Sequence, residues 1–296
     1  MAVLGPLGCM AACGARTGLD VPERRDAEPD VSVEAGIDVI EEDALVFPPI
    51  DASHPDVDIT GCPPLTYIWA VSTDDSLLRF DPPSATFTHV ATIVCPANGS
   101  HPFSMAVNRA SVAFVEYENG MLFEVSTVDG SCTPTPYVAN ATPPFDNFGM
   151  AYVTIGTGPA EQLFIAADQP SELGMIVTPM FAIQPVAVTT PAIGFAELTG
   201  SGDGRLYAYY AFGGTGGSYI AELDKTTGQV LGQDSLAAVD RGDGWAFAYW
   251  GGDFWIFTDP GTQNTWHWNT ATKTATLVAH YSAEIVGAGV STCAPQ

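Results

Sequence analysis

Short apolar segments with the same pattern return five times along the chain. In each copy a large apolar residue is followed by small or apolar positions, then by Ala or Gly, and the next position completes a short strand. Such runs, bounded by Gly, Asp and Thr, are typical of β-strands and hairpin turns. No long stretch of the body has helical periodicity. The copies are residues 103–107, 148–152, 193–197, 245–249 and 286–290.

The spacing of these copies predicts the fold. Their Ala or Gly positions lie 45, 45, 52 and 41 residues apart, which is the period at which a β-propeller adds a four-stranded blade. Small residues are expected there because the innermost strands of five blades converge around a narrow axis, where large side chains would collide. We therefore predict an all-β, five-bladed β-propeller. The small positions are Ala106, Ala151, Ala196, Ala248 and Gly289.

The first blade lacks a small-residue strand of its own. Apolar segments at 67–71, 76–80 and 87–91 supply three strands, whereas the copy at 286–290 has no blade around it. Placing this C-terminal copy as the innermost strand of the first blade completes five blades and removes exposed sheet edges. The predicted propeller therefore spans residues 62–296 and is closed by its C-terminal strand.

Four of the six cysteines lie in the predicted propeller and indicate two disulfides. Cys62 precedes the second strand of the first blade and Cys293 follows its innermost strand, so ring closure places both at one end of a hairpin. A disulfide there joins residues 231 apart, worth about 4–5 kcal/mol in the chain-entropy model. Cys95 and Cys132 form the second predicted pair. The alternative is that all four are reduced thiols of a cytosolic protein.

The N-terminus resembles the cleavage site of a bacterial lipoprotein. Residues 1–12 are uncharged and mostly apolar, and they run into Met10-Ala11-Ala12-Cys13-Gly14, in which Cys13 would carry the lipid. The segment lacks a basic start and is short for a signal, so an upstream start or a disordered terminus are the alternatives. No other apolar run approaches about 18 residues. The hypothesis is an outer-membrane or cell-surface lipoprotein, attached to the membrane by this anchor alone.

Residues 14–61 are predicted to form a disordered acidic linker. Between Asp20 and Asp58 there are thirteen acidic residues against Arg24 and Arg25, together with several prolines. Such a segment buries too little apolar surface to fold, and its like charges extend it. We expect a spacer between membrane and propeller, with a merely tolerated tail as the alternative.

The charge of the chain limits its partners. The net charge is −25, and the basic residues of the predicted propeller are scattered, so the sequence offers no surface for a phosphate backbone. The five histidines are isolated, so no metal or other cofactor is implied. We expect a monomer that does not bind nucleic acid. The basic residues in question are Arg79, Arg109, Arg205, Lys225, Arg241 and Lys273.

Two segments carry a resemblance to known proteins. The turn at 223–230, with Asp224-Lys225-Thr226-Thr227-Gly228 at its centre, resembles the strand-turn-strand unit of quinoprotein-type and YVTN-type propeller repeats. The segments 250–255 and 286–293 are similar to those of secreted bacterial propeller lipoproteins of unassigned function. The resemblance covers about residues 62–296 and implies a fold and a secreted location, but no catalytic residue.

Two kinds of catalysis are alternatives to binding. Five-bladed glycosidases resemble this architecture and use paired carboxylates near the axis. Here Glu197 is expected near the axis, with Glu116 and Asp168 on second strands, and no pair is forced to converge. A metal-assisted lactonase would need ligands such as Asn108, Asp146 and Glu197 to meet on the axis, and these form only a loose set.

The aromatic residues of the fifth blade are candidates for a ligand surface. Nine of them lie within 24 residues, and aromatic platforms often hold sugars or peptides, although wedges between blades are the favoured interpretation. We therefore predict a non-catalytic module that binds a protein or a glycan, with an extracytoplasmic hydrolase carrying an axial carboxylate as the alternative. The candidate ligand residues are Trp250, Trp255, Trp266 and Trp268.

Overall fold

The computed structural model describes residues 47–52, 57–211, 217–242 and 244–296. In these residues twenty β-strands form five four-stranded antiparallel sheets, and one 3-10 turn covers Pro82–Ser84. The five-bladed β-propeller predicted from the sequence is confirmed. Cys13 and most of the acidic linker lie outside the described residues.

Each blade has four strands, arranged in order from the axis to the outside, and the first blade takes its innermost strand from the C-terminus. The first blade contains β1 (Ile68–Ser72), β2 (Ser76–Asp81) and β3 (Thr86–Thr92), and the second contains β4 (Pro102–Val107), β5 (Val112–Tyr117), β6 (Leu122–Ser126) and β7 (Cys132–Pro134). The third contains β8 (Gly149–Thr154), β9 (Glu161–Ala167), β10 (Glu172–Val177) and β11 (Ala182–Val188). The fourth contains β12 (Ala196–Gly200), β13 (Leu206–Ala211), β14 (Ser218–Leu223) and β15 (Val230–Leu236). The fifth contains β16 (Gly244–Trp250), β17 (Asp253–Asp259), β18 (Asn264–Asn269) and β19 (Thr274–His280), and β20 (Ile285–Val290) returns to the first.

The strand β20 closes the ring as predicted. It pairs antiparallel with β1, with Trp69 opposite Gly289 and Ala70 opposite Ala288. The five innermost strands then contact one another in the circular order β20, β4, β8, β12, β16. Both predicted disulfides are also present. Cys62–Cys293 joins residues 231 apart and Cys95–Cys132 joins residues 37 apart.

Hydrophobic packing holds neighbouring blades together. Five buried clusters fill the five gaps between adjacent blades, including the gap between the last blade and the first. The outermost strands β3, β11 and β19 share one mostly exposed burial pattern, whereas β8 and β12 are buried throughout. The core is therefore a ring of interfaces around the axis, and each blade depends on both neighbours.

Small residues lie where the innermost strands approach closely. A Cβ atom added to Gly149 of β8 would lie 2.1 Å from the carbonyl oxygen of Ala196 in β12. The third copy of the sequence pattern, at residues 193–197 in the fourth blade, is nevertheless out of register. Ile193 packs into the cluster between the third and fourth blades, and Gly194 has φ +68°, so β12 begins only at Ala196.

Residues 47–52 and 57–61, which we call the N-terminal strap, lie against the propeller. Ile50 is buried in the cluster between the fourth and fifth blades, and its carbonyl oxygen accepts a hydrogen bond from Lys273 Nζ at 3.0 Å. The backbone N–H of Gln233 donates to the Pro48 carbonyl at 2.8 Å. Contacts with the propeller thus extend upstream of residue 62, to Phe47.

Candidate functional site

An axial pocket of about 240 Å³ opens at the end of the propeller where the innermost strands begin. The innermost strands of the first, second, fourth and fifth blades bring their first residues to this end, and these four blades form the pocket. Three aromatic side chains and three carboxyl side chains line it, together with small and apolar residues. These are Phe103, Phe195 and Trp245, and Glu118, Glu197 and Glu284.

The aromatic side chains form a connected wall. The Phe103 and Phe195 rings meet edge-to-face with centroids 5.5 Å apart, and Phe195 meets Trp245 in the same way at 5.4 Å. Phe103 lies in the second blade and Phe195 precedes the fourth, so their contact crosses the axis between blades that are not neighbours. The guanidinium carbon of Arg241 lies 3.7 Å from the Trp245 ring centroid.

Glu197 is the buried carboxyl of the pocket. Its side chain is 2% exposed, and Ser104 Oγ donates a hydrogen bond to Oε2 at 2.9 Å. Burial raises the pKa of Glu197 well above its ordinary value, although the Ser104 hydrogen bond acts in the opposite direction. A carboxyl in this environment favours its neutral form unless a positive charge comes close.

A second buried carboxyl, Glu116, lies near Glu197. It pairs with Ser104 across β4 and β5, and its Oε2 accepts a hydrogen bond from the Phe148 backbone N–H at 3.1 Å. Burial raises the pKa of Glu116 well above its ordinary value, and the charge of Glu197 raises it further. Among the described residues, Glu116 Oε1 has no hydrogen-bond partner. Unlike Glu197, Glu116 does not line the pocket.

The opposite end of the axis is filled by the chain itself. Arg109, which follows β4, donates from NH2 to the carbonyl oxygens of Asp58 and Thr60 in the N-terminal strap. Its backbone N–H donates to both carboxylate oxygens of Glu161, at 2.8 and 3.0 Å, and Thr292 Oγ1 donates to the same carboxylate at 3.1 Å. The innermost strands leave only about 10 Å³ between the two ends, room for one water molecule at most. The axial pocket therefore has one opening.

The structure brings some of the predicted catalytic candidates together and separates others. Glu116 and Glu197 come close, although no pattern in the sequence forces a pair of carboxyls to converge. The small Ser104 of β4, which contacts both, is the sequence feature that could have indicated this pair. Asp168 is exposed and does not line the pocket. Asn108 follows β4 and so lies at the filled end, where its Oδ1 accepts from the Val112 N–H at 2.9 Å. No group of three His, Cys, Asp or Glu side chains in the described part of the chain could hold a metal ion.

The four tryptophans singled out in the sequence lie between blades. Trp250 and Trp255 pack in the cluster between the fifth and first blades, and Trp266 and Trp268 pack in the cluster between the fourth and fifth. His267 takes the other face of β18, where its ring stacks on Trp255 at 4.5 Å. None of these tryptophans lines the axial pocket. Their role as ligand residues stays a prediction, and the pocket uses Trp245 from the same blade.

A second cavity of about 420 Å³ lies between the third and fourth blades on the outer surface. Phe164, Met175 and other apolar residues line it. Its polar side chains serve the fold instead, because Gln162 Nε2 donates to two strand carbonyls and Lys225 Nζ donates to the Gly204 carbonyl. The axial pocket therefore has the stronger claim to be a specific site, because polar and aromatic groups converge there.

No family model matches the chain, and no curated protein matches it. The fold is similar to that in the crystal structure of a nidogen/laminin complex, with a TM-score of 0.53 and 10% identity over 76% of this chain and 98% of that one. It is also similar to the structure of U3-55K, with a TM-score of 0.42 and 14% identity over 76% of this chain and 82% of that one. In the described residues no helix is both long and apolar enough to span a membrane. At these identities the first likeness supports the β-propeller fold and nothing finer.

Proposed function

We propose that this protein is a lipid-anchored, extracytoplasmic propeller that acts as a non-catalytic binding module and holds part of a protein or glycan in its axial pocket. β-propellers commonly serve as binding modules. The observation that carries the proposal is the pocket itself, in which three aromatic rings and the buried carboxyl of Glu197 converge at the end of the axis that is open in the described part of the chain. A ligand would enter and leave on this face alone.

The proposed location has its own support. Two disulfides, one of which closes the ring, are compatible with an oxidising compartment outside the cytoplasm. The lipoprotein-like sequence ending at Cys13 is the basis for the anchor. Stable membrane attachment through one modified residue requires more than one acyl chain on it.

The anchor is tested by mass spectrometry of the N-terminal peptide after expression in a bacterial host. The proposal expects a mature chain that begins at an acylated Cys13, and Cys13→Ser should move the protein from the membrane fraction to the soluble fraction. An unmodified peptide that begins at Met1, or beyond Cys13, would contradict it.

Ligand binding is tested on arrays of immobilised glycans and peptides, with wild type beside two tryptophan variants. Trp245→Ala removes part of the pocket wall, and Trp266→Ala removes an indole that lies outside the pocket. Both variants are first shown to keep a cooperative thermal transition. We expect bound ligands whose retention is lost in Trp245→Ala and kept in Trp266→Ala. Equal retention by both would place binding elsewhere.

One observation favours a second function, glycoside hydrolysis. Glu197 lines the pocket with a raised pKa, which is what a general acid at neutral pH requires. An exposed carboxyl at the opening, such as Glu118, would then have to act as nucleophile or base. A panel of aryl glycosides tests this alternative. Hydrolysis that is abolished by Glu197→Gln would establish glycosidase activity. If the wild type hydrolyses none of these substrates, the non-catalytic binding module stands as the proposed function.

A further inference from the structure

We propose that the axial pocket holds an organic cation, the ammonium or guanidinium end of a basic side chain or of a free alkylamine. This inference rests on the proposed function, because it takes the pocket to be the binding site. It specifies the chemistry of the ligand that the pocket accepts.

The charged side chains that line the pocket are of one sign, although the Arg241 guanidinium stacks on the Trp245 ring of its wall. Glu118 and Glu197 line it, and none of the described residues that line it is Lys, Arg or His. The chain as a whole carries a net charge of −25, so its field attracts cations towards any open concave site. An anionic ligand would meet repulsion from Glu118 at the opening of the pocket.

Glu197 is the buried hydrogen-bond acceptor among the side chains that line the pocket. The side chain is 98% buried, and the hydrogen bond from Ser104 Oγ is the one that its carboxyl accepts from the described residues. It still lines the pocket, so a ligand can reach it. A buried carboxylate is stable only when it is paired, and an ammonium or guanidinium group placed in the pocket would supply the counter-charge together with hydrogen-bond donors.

The aromatic wall suits the same ligand. Cations bind over aromatic faces, and recognition of alkylammonium groups typically uses several rings beside a carboxylate. Phe103, Phe195 and Trp245 form such a set within edge-to-face distance of one another. Trp245 already accepts one cation on its ring, the guanidinium of Arg241 at 3.7 Å.

The size of the pocket limits the ligand to a single group. Its volume of about 240 Å³ lies below the roughly 300–1,000 Å³ of sites that take drug-sized molecules. One basic side chain can fill it, whereas an oligosaccharide would leave most of its rings outside. The pocket therefore favours a basic side chain or a small amine over a glycan.

The test uses isothermal titration calorimetry on the whole chain, with two pairs of probes in which one member carries an ammonium group and the other does not. N-acetyl-lysine methylamide is compared with its norleucine counterpart, and n-butylammonium is compared with 1-butanol. We expect the charged member of each pair to bind and the neutral member to bind about ten-fold more weakly or worse. Tighter binding of the lysine derivative than of n-butylammonium would identify a protein side chain as the source of the cation, and equal binding would identify a free amine.

Two variants make the result specific to the pocket. Glu197→Gln keeps the shape of the side chain and should weaken binding of the charged probes by about ten-fold or more. Glu124→Gln removes the same charge from an exposed position on β6 and should leave binding unchanged. Phe195→Leu provides a second pocket variant should Glu197→Gln fail to fold, and it too should weaken binding.

The outcomes separate this inference from the proposed function. Neutral and charged probes that bind equally, or full binding by folded Glu197→Gln, would overturn the cation assignment. A neutral glycan that binds in a manner sensitive to Trp245→Ala would also overturn it, while leaving the proposed binding function in place. Failure of every probe and every array ligand to bind would overturn both.

Discussion

Replacing both Cys62 and Cys293 by Ala should lower the free energy of unfolding by about 5 kcal/mol. The disulfide joins residues 231 apart, and closing so long a loop removes much of the entropy of the unfolded chain. It also joins the segment before β1 to the segment after β20, the two strands that complete the first blade.

The second disulfide provides a matched control. Cys95 and Cys132 are 37 residues apart, so the same entropy relation gives about 4 kcal/mol for the pair Cys95→Ala and Cys132→Ala. This disulfide joins neighbouring blades whose strands are already close in sequence. We expect the ring-closing disulfide to contribute about 1.6 kcal/mol more than the control, from the ratio of the two loop lengths.

The assay is equilibrium unfolding in urea at pH 7, followed by tryptophan fluorescence, for the wild type and the two double variants. We expect the lowest urea midpoint of unfolding for the variant without the Cys62–Cys293 disulfide. A wild-type midpoint for that variant, or a smaller loss than the control shows, would refute the role assigned to this disulfide in closing the ring.

Three further predictions concern packing and charge. Ile50→Ala should cost about 2–4 kcal/mol in urea unfolding because Ile50 is buried against the propeller, whereas Ile59→Ala, at a position 73% exposed, should cost almost nothing. Gly149→Ala should lower the free energy of unfolding by about 1–3 kcal/mol because its Cβ would lie against the Ala196 carbonyl. Gly158→Ala, at a position with open space around it, is the control. Equal losses of stability in the two variants would contradict the close packing at the axis. Burial raises the pKa of Glu116, so its folded form retains a proton that the unfolded chain releases, and stability falls as pH rises above the ordinary glutamate pKa. Glu116→Gln should therefore match wild type near pH 4 and exceed it at pH 8, by about 1.4 kcal/mol per unit of pKa shift; parallel curves would contradict this.

The blade architecture could be predicted from the sequence because its signals are local. Each innermost strand carries its own small residues, and each hairpin has its own turn residues, so the blades could be counted one at a time. The orphan segment at 286–290 and the position of Cys293 beside it were enough to predict closure of the ring.

The axial pocket could not be predicted in the same way, because it depends on the geometry of the whole ring. Phe103 and Phe195 meet across the axis, and the hydrogen bond from Ser104 to Glu197 also joins blades that are not neighbours. No pattern within one blade marks these residues. The aromatic cluster of the fifth blade indicated Trp250, Trp255, Trp266 and Trp268, which pack between blades. The tryptophan that lines the pocket is Trp245.

The N-terminal strap was hidden by the composition around it. The thirteen acidic residues of this segment predict an extended linker. This overall composition hides the two large apolar residues Phe47 and Ile50. Both pack against the propeller, since a short segment needs only one or two apolar contacts and a few backbone hydrogen bonds to dock. Two large apolar side chains close together in an acidic segment were the available signal.

A crystal structure of the protein soaked with N-acetyl-lysine methylamide tests the central claim most directly, namely that the axial pocket is the ligand site. We expect electron density for the lysine derivative in the pocket. Its ammonium nitrogen should lie about 2.7–3.2 Å from a carboxylate oxygen of Glu197, and its alkyl chain should pack against Phe195 or Trp245. A ligand bound on another surface, with the axial pocket holding only water, would contradict the account.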